Sequence, residues 1–117
     1  MAGEAIKGHL DALLLAIVAD GPVHGYGVVE KLRARSGGRF DLPEGTVYPA
    51  LHRLEADGLL RSGWTTVAGR KRRQYELTDR GRAELGQRSA EWRRFAHAVE
   101  RVLGGPQARS TAAHANA

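Results

Sequence analysis

The chain has 117 residues, with 18 basic and 13 acidic side chains for a net charge of +5, and is 42% hydrophobic; this is about one domain's length, with a small core whose stability leans on a partner subunit. The absence of cysteine excludes a disulfide framework and a thiolate metal site, and fits a reducing cytosol. The longest apolar run, Leu13 to Ala19, is too short to cross a bilayer and has a helical period rather than the layout of a secretory leader, so a soluble cytoplasmic protein is expected.

Ile6, Leu10, Leu13, Leu14, Ile17 and Val18 recur at helical spacing and predict a first helix with one continuous apolar stripe. Asp20-Gly21-Pro22 stops it. A second helix is predicted from about Gly25 to Ser36, with Tyr26, Val29 and Leu32 on its buried side and Gly37-Gly38 at its end. Phe40-Asp41-Leu42 reads as a short strand or an extended link.

In the third helix Val47, Leu51 and Leu54 form the buried face, which turns Thr46, Pro49 and Arg53 to one flank and Tyr48 and His52 to the next. Pro49 lacks an amide proton and is tolerated only near a helix start. The helix therefore begins close to Thr46, with Thr46 as its cap, or has a kinked first turn from Glu44. Either start sets Tyr48, Pro49 and His52 outward at the amino-terminal end. The dipole and free amides there attract phosphate, and a helix-turn-helix points this end into the major groove. Gly58 ends the helix, and Leu59 and Leu60 return to the core.

From Leu60 to Thr66 and from Arg72 to Thr78 the period changes toward two, with Val67 to Lys71 as a glycine-containing turn, predicting a two-stranded wing. Between Arg61 and Arg82 lie seven basic side chains and two acidic ones, a local excess equal to the net charge of the whole chain, so the remainder is neutral. Such a concentrated field beside a polar helix is the footprint of a nucleic-acid binder. Arginine outnumbers lysine fifteen to three, which favours bidentate contacts with phosphate and guanine. The candidate DNA contacts are Tyr26, Gly45, Thr46, Tyr48, Pro49, His52 and Arg53 on the helices, and Arg70, Lys71, Arg72 and Arg73 on the wing. For Tyr26 and Tyr48 packing is the competing role, and His24 is expected to make a structural hydrogen bond to the backbone.

Thr78 is placed to cap a final helix with Asp79 in its first turn. In that helix Leu85, Trp92 and Val99 recur every seven residues, with Phe95 and Val102 between them. A helix of this length is longer than so small a core can cover, so its apolar stripe calls for a second copy related by a twofold axis, packing on its mate or on the mate's first helix. Leu10, Leu14, Leu85, Trp92, Phe95, Val99 and Val102 are the candidate dimer contacts. Trp64, on the wing, is expected to pack. The organisation expected is a DNA-binding domain over 1–78, a dimerisation helix over 79–103 and a disordered tail over 104–117. The fold class is mainly α with a small β wing (α+β). The five histidines show no paired spacing, so no metal or cofactor is expected, and no GxSxG, Walker-type loop or carboxylate cluster points to an enzyme.

The runs HLDALLLAIVADGPVHGYGVVEKLRARSGG, LPEGTVYPALHRLEADGLL and AGRKRRQYELTDRGRAEL together resemble the PadR family of bacterial transcriptional regulators, in its short subfamily with a single carboxy-terminal helix. The resemblance covers about residues 6 to 103. It implies a winged helix-turn-helix, a homodimer joined by the last helix and repression through a palindromic operator. It also implies a small aromatic effector in some relatives, held by a tryptophan that matches Trp92; packing of the dimer is the competing role for that residue. Two other functions share the residue pattern, a nonspecific architectural DNA protein and a winged-helix protein-interaction module.

Overall fold

The computed structural model describes the backbone of residues 8–116 and the side chains of residues 8–105. Ile6 and nearly all of the expected tail lie outside those side chains. In chain order the elements are α1 (Leu10–Val18), β1 (Val23–His24), α2 (Gly25–Arg35), α3 (Glu44–Ala56), β2 (Leu60–Val67), β3 (Arg70–Leu77) and α4 (Asp79–Asn116), the last interrupted by a non-helical Gly105. The chain divides after Gly86 into two compact units. It is an α+β fold in which, among the described residues, four helices accompany a small antiparallel sheet.

In the first unit α1, α2 and α3 enclose one core. Leu14, Leu15 and Val18 meet Val28 and Leu32 of α2 and Val47, Leu51 and Leu54 of α3, and Leu60, Tyr75 and Leu77 from the strands close it. Helical spacing therefore predicted most of the core, with one consequence for the expected dimer surface. Leu14 is 0% exposed inside the chain's own core and has no area left to offer a second copy. Leu10 and Leu85 are partly buried against the same core.

The sheet runs in the order β1-β3-β2 with every pairing antiparallel. Its third strand was not expected, because two residues are too few to show a period. By pairing Val23 with Tyr75 and His24 with Gln74, β1 anchors the start of α2 against the wing. Phe40 to Leu42 adds no strand and is a link.

The hairpin turn is tighter than the five residues predicted. Only Ala68 and Gly69 lie between the strands, with φ of 52° and 78°. Two successive left-handed residues continue the right-handed twist of the flanking strands, so pairing extends to Val67 opposite Arg70. Arg70 and Lys71 are thus strand residues.

Helix α3 starts at Glu44, preceded by Pro43 in an extended conformation with no side-chain cap. Thr46 is not the cap: its amide and that of Val47 donate to the Pro43 carbonyl at 3.0 and 3.1 Å. Pro49 lies inside the helix, where its missing amide deprives only the Gly45 carbonyl, near the amino-terminal end. At the other end of the wing, Thr78 Oγ1 accepts from the Gly81 amide at 3.0 Å and donates to the Gly58 carbonyl at 2.7 Å. The predicted cap is there, and it also ties the start of α4 to the end of α3.

In the second unit, α4 carries Trp92, Phe95, Val102 and Leu103 as exposed apolar side chains, with Val99 half-buried. The Trp92 and Phe95 ring centroids are 5.9 Å apart.

Candidate nucleic-acid interface

The outward side of α3 presents Gly45, Thr46, Pro49, His52 and Arg53 to solvent, while Tyr48 is half-buried. Tyr48 lies flat against the chain because Gly25 has no side chain. A β-carbon there would meet the Tyr48 ring at 2.9 Å. The ring of Tyr48 therefore packs against the chain, and the residue also lines a cleft. Burial, followed by the nearby Glu44 and Tyr26, raises the Tyr48 phenol above its ordinary value, against a lowering by Arg72, so it remains a neutral hydroxyl donor.

A cleft of about 250 Å³ brings α3, the wing and the start of α2 together. Tyr26, Tyr48, His52, Arg72 and Arg73 line it, five of the predicted contact residues, joined by His24, Gly25 and Tyr75. Tyr26 is exposed at the start of α2 rather than buried as its spacing suggested; Gly27, Val28, Val29 and Leu32 take that face. His24 is the cap of α2, its Nδ1 accepting from the Gly27 amide at 3.1 Å. Sequence reasoning assigned that structural bond but missed His24 and Tyr75 as cleft walls. The signal was the short β1 pairing, which no pattern in a single chain reveals.

The cationic side chains fall into distinct groups. Arg70 and Lys71 flank the turn at the exposed end of the hairpin. Arg73 is engaged on the molecule itself: its Nε donates to Ser62 Oγ at 2.8 Å, its guanidinium lies 3.7 Å from Glu55, and it covers the Trp64 ring at 5.5 Å. Arg53, expected to face DNA, is held by Asp11 of α1 at 2.6 Å. Arg72 is different again, for its Nε is buried without a hydrogen-bond partner. Trp64 corrects another expectation. It is 65% exposed, because strand alternation puts it on the face of Ser62 and Tyr75 but past the end of the core.

Three packed helices, the third with an open polar face, followed by an antiparallel hairpin that carries the basic charge, define a winged helix-turn-helix. Over residues 14–87 the sequence matches the Transcriptional regulator PadR-like family. The chain belongs to that family. It is 45% identical over 92 residues to the transcriptional regulator Rv3488 of Mycobacterium tuberculosis, covering 79% of this chain and 80% of that protein. The crystal structure of a PadR-like transcriptional regulator from Bacillus cereus superposes with a TM-score of 0.78 at 30% identity, over 87% of this chain and 98% of that one. Bacillus subtilis PadR, solved in complex with operator DNA, shares the fold with a TM-score of 0.61 at 24% identity, over 67% of this chain and 45% of that one.

Proposed function

We propose that this PadR-like regulator binds duplex DNA as a homodimer and represses transcription from a palindromic operator. In this reading the amino-terminal end of α3 enters the major groove, and the wing, through Arg70, Lys71 and Arg72, holds the neighbouring backbone. The observation that carries the reading is the cleft in which Tyr48 and His52 of α3 share walls with Arg72 and Arg73 of the wing. Recognition helix and cationic hairpin therefore form one continuous surface rather than two separate ones. The operator complex of Bacillus subtilis PadR supports the same partner. In a twofold dimer paired through the exposed stripe of α4, the two recognition helices would meet successive major grooves, about 34 Å apart. A flat aromatic effector bound beside Trp92 at the dimer seam is the regulatory arm of this reading, and it acts only if it binds the released geometry more tightly than the DNA-bound one.

Footprinting the promoter upstream of the protein's own gene, with a competition titration against random duplex, tests the proposal. Protection of an inverted repeat that random duplex fails to displace is expected. Equal competition by random duplex would make the protein a nonspecific architectural factor, and no salt-dependent affinity at all would make the fold a protein-interaction module.

A further inference from the structure

What holds Arg73 sets it apart from Arg70, Lys71 and Arg72. Strand alternation turns Arg73 and Tyr75 of β3 to the same side as Ser62 and Trp64 of β2, with Trp64 paired directly opposite Arg73. There the Ser62 hydroxyl links β3 to α3. It donates to Glu55 Oε2 at 2.6 Å and accepts from Arg73 Nε at 2.8 Å. The Arg73 guanidinium completes the triangle 3.7 Å from Glu55 Oε1 and covers the Trp64 ring. Glu55 stands in the last turn of α3, where the helix dipole disfavours a carboxylate. Helix stability therefore gives no reason for an acid at this position, and a partly exposed ion pair adds little to the stability of the fold.

We propose that Glu55 is a specificity-determining residue of the DNA interface: with Ser62 it holds Arg73 on the protein and withholds that cation from the phosphate backbone. The inference rests on the DNA-binding reading above and concerns how that surface is restrained. Arg73 lies beside Arg72 on a wall of the cleft next to α3, so without Glu55 its charge is free to reach a duplex seated there. To take Arg73, a phosphate must break the Nε bond to Ser62, lift the guanidinium from the indole and leave the Glu55 carboxylate without its cation. Those losses offset one phosphate contact, which leaves Arg73 little net affinity to add. A loose arginine would strengthen binding to every duplex, because phosphate contacts carry no sequence information. A regulator selects its site against a vast excess of other DNA, so the ratio of operator to random affinity matters more than affinity itself. Glu55 also fixes the wing to the helix proposed to read bases, since its partners sit on both strands. Release therefore raises sequence-independent binding and loosens the register on which base contacts depend.

Glutamine keeps an acceptor for the Ser62 hydroxyl and removes the charge, so Glu55→Gln leaves the bond between α3 and β2 in place while releasing Arg73. Affinities of wild type, Glu55→Gln, Arg73→Gln and the double variant are measured by fluorescence anisotropy on the footprinted operator duplex and on a random duplex across a salt series. Glu55→Gln should bind random duplex about threefold or more tightly and steepen its log–log salt slope by about 0.9, the increment for one added phosphate contact. Operator affinity should rise by less, so the operator-to-random ratio falls. Arg73→Gln alone should leave the wild-type slope in place, and adding it to Glu55→Gln should cancel the gain. Ser62→Ala removes the Nε acceptor and leaves the carboxylate; a smaller shift in the same direction is expected, and it keeps the test readable if Glu55→Gln melts early. Weaker binding to both duplexes at an unchanged slope would make Glu55 a structural support alone and overturn the proposal. So would a slope lowered by Arg73→Gln alone, since Arg73 would then already neutralise a phosphate in wild type. A gain that survives in the double variant would overturn it too, being the long-range field of one lost carboxylate. A wild-type protein with no salt-dependent duplex binding would instead bring down the DNA-binding reading itself, a different result from DNA binding that ignores Glu55.

Discussion

A methyl group added at Gly81 would run into the Leu59 backbone carbonyl, where α4 starts against the end of α3. Backbone cannot move aside as a side chain can, so Gly81→Ala should cost about 2 kcal/mol or more in a denaturant titration. Tyr48 invites a gentler change. Tyr48→Phe keeps the ring against Gly25 and removes only the hydroxyl, so thermal stability should hold while operator affinity falls by roughly 1 to 3 kcal/mol in a fluorescence titration. The Tyr75 phenol is raised above its ordinary value of 10.0 by burial, with Arg73 pulling it down and Glu55 and Tyr48 pushing it up. The folded chain thus holds this proton more tightly than the unfolded one. Its contribution to stability is complete below the unfolded value and disappears as pH rises through the raised one. The melting temperature should fall above about pH 10, and Tyr75→Phe should flatten that fall when both are followed by circular dichroism. Little of this was legible in the sequence. GRKRRQ reads as one block of charge, and only the strand pairing and the position of Glu55 separate an engaged Arg73 from an Arg72 whose Nε has no partner.

Elements were more readable than side chains, because burial imposes periods on sequence and partners do not. The stripes of α1 and α3 and the alternation of β3 led directly to the core, and Thr78 was identified as a cap by chemistry that needs only three residues of local context. The start of α3 was less legible because Pro49, the sixth residue of the helix, deprives it of only one carbonyl partner and so does not mark the first turn, and β1 was invisible because its partner lies some fifty residues away. The turn of the wing shows the same limit. Ala68 is held at φ 52°, a region that alanine enters at a cost and asparagine or glycine enters readily. Ala68→Asn should stabilise the protein by about 0.5 to 1 kcal/mol, measured by the denaturation midpoint. Salt dependence should separate the cations of the hairpin from a cation of α3. Alanine at Arg70 or Lys71 should lower the log–log slope of DNA affinity by about 0.9 for each phosphate that the side chain had neutralised. Alanine at Arg53, already paired with Asp11, should leave the slope alone.

For the molecule as a whole, the exposed stripe of α4 is the surface on which the proposed homodimer depends. Trp92 is 49% and Phe95 59% exposed in the single chain, and Val102 and Leu103 are more exposed still. Side chains of that size along one helix are area that a mate would cover. Trp92→Ala should therefore loosen the homodimer, and sedimentation at low concentration would show monomer where wild type remains paired; an intact dimer would count against the assignment.

The bare indole of Trp64 has a practical corollary. The chain contains two tryptophans, and they fall in different units, one on the hairpin and one on α4. Replacing Trp92 with phenylalanine leaves a single tryptophan, stacked on a guanidinium and open to water, which excitation beyond the tyrosine absorption band selects. Its emission would shift toward shorter wavelengths if the hairpin were covered and stay constant if only the helical seam were disturbed, so wing engagement could be timed in a stopped-flow instrument without attaching any dye.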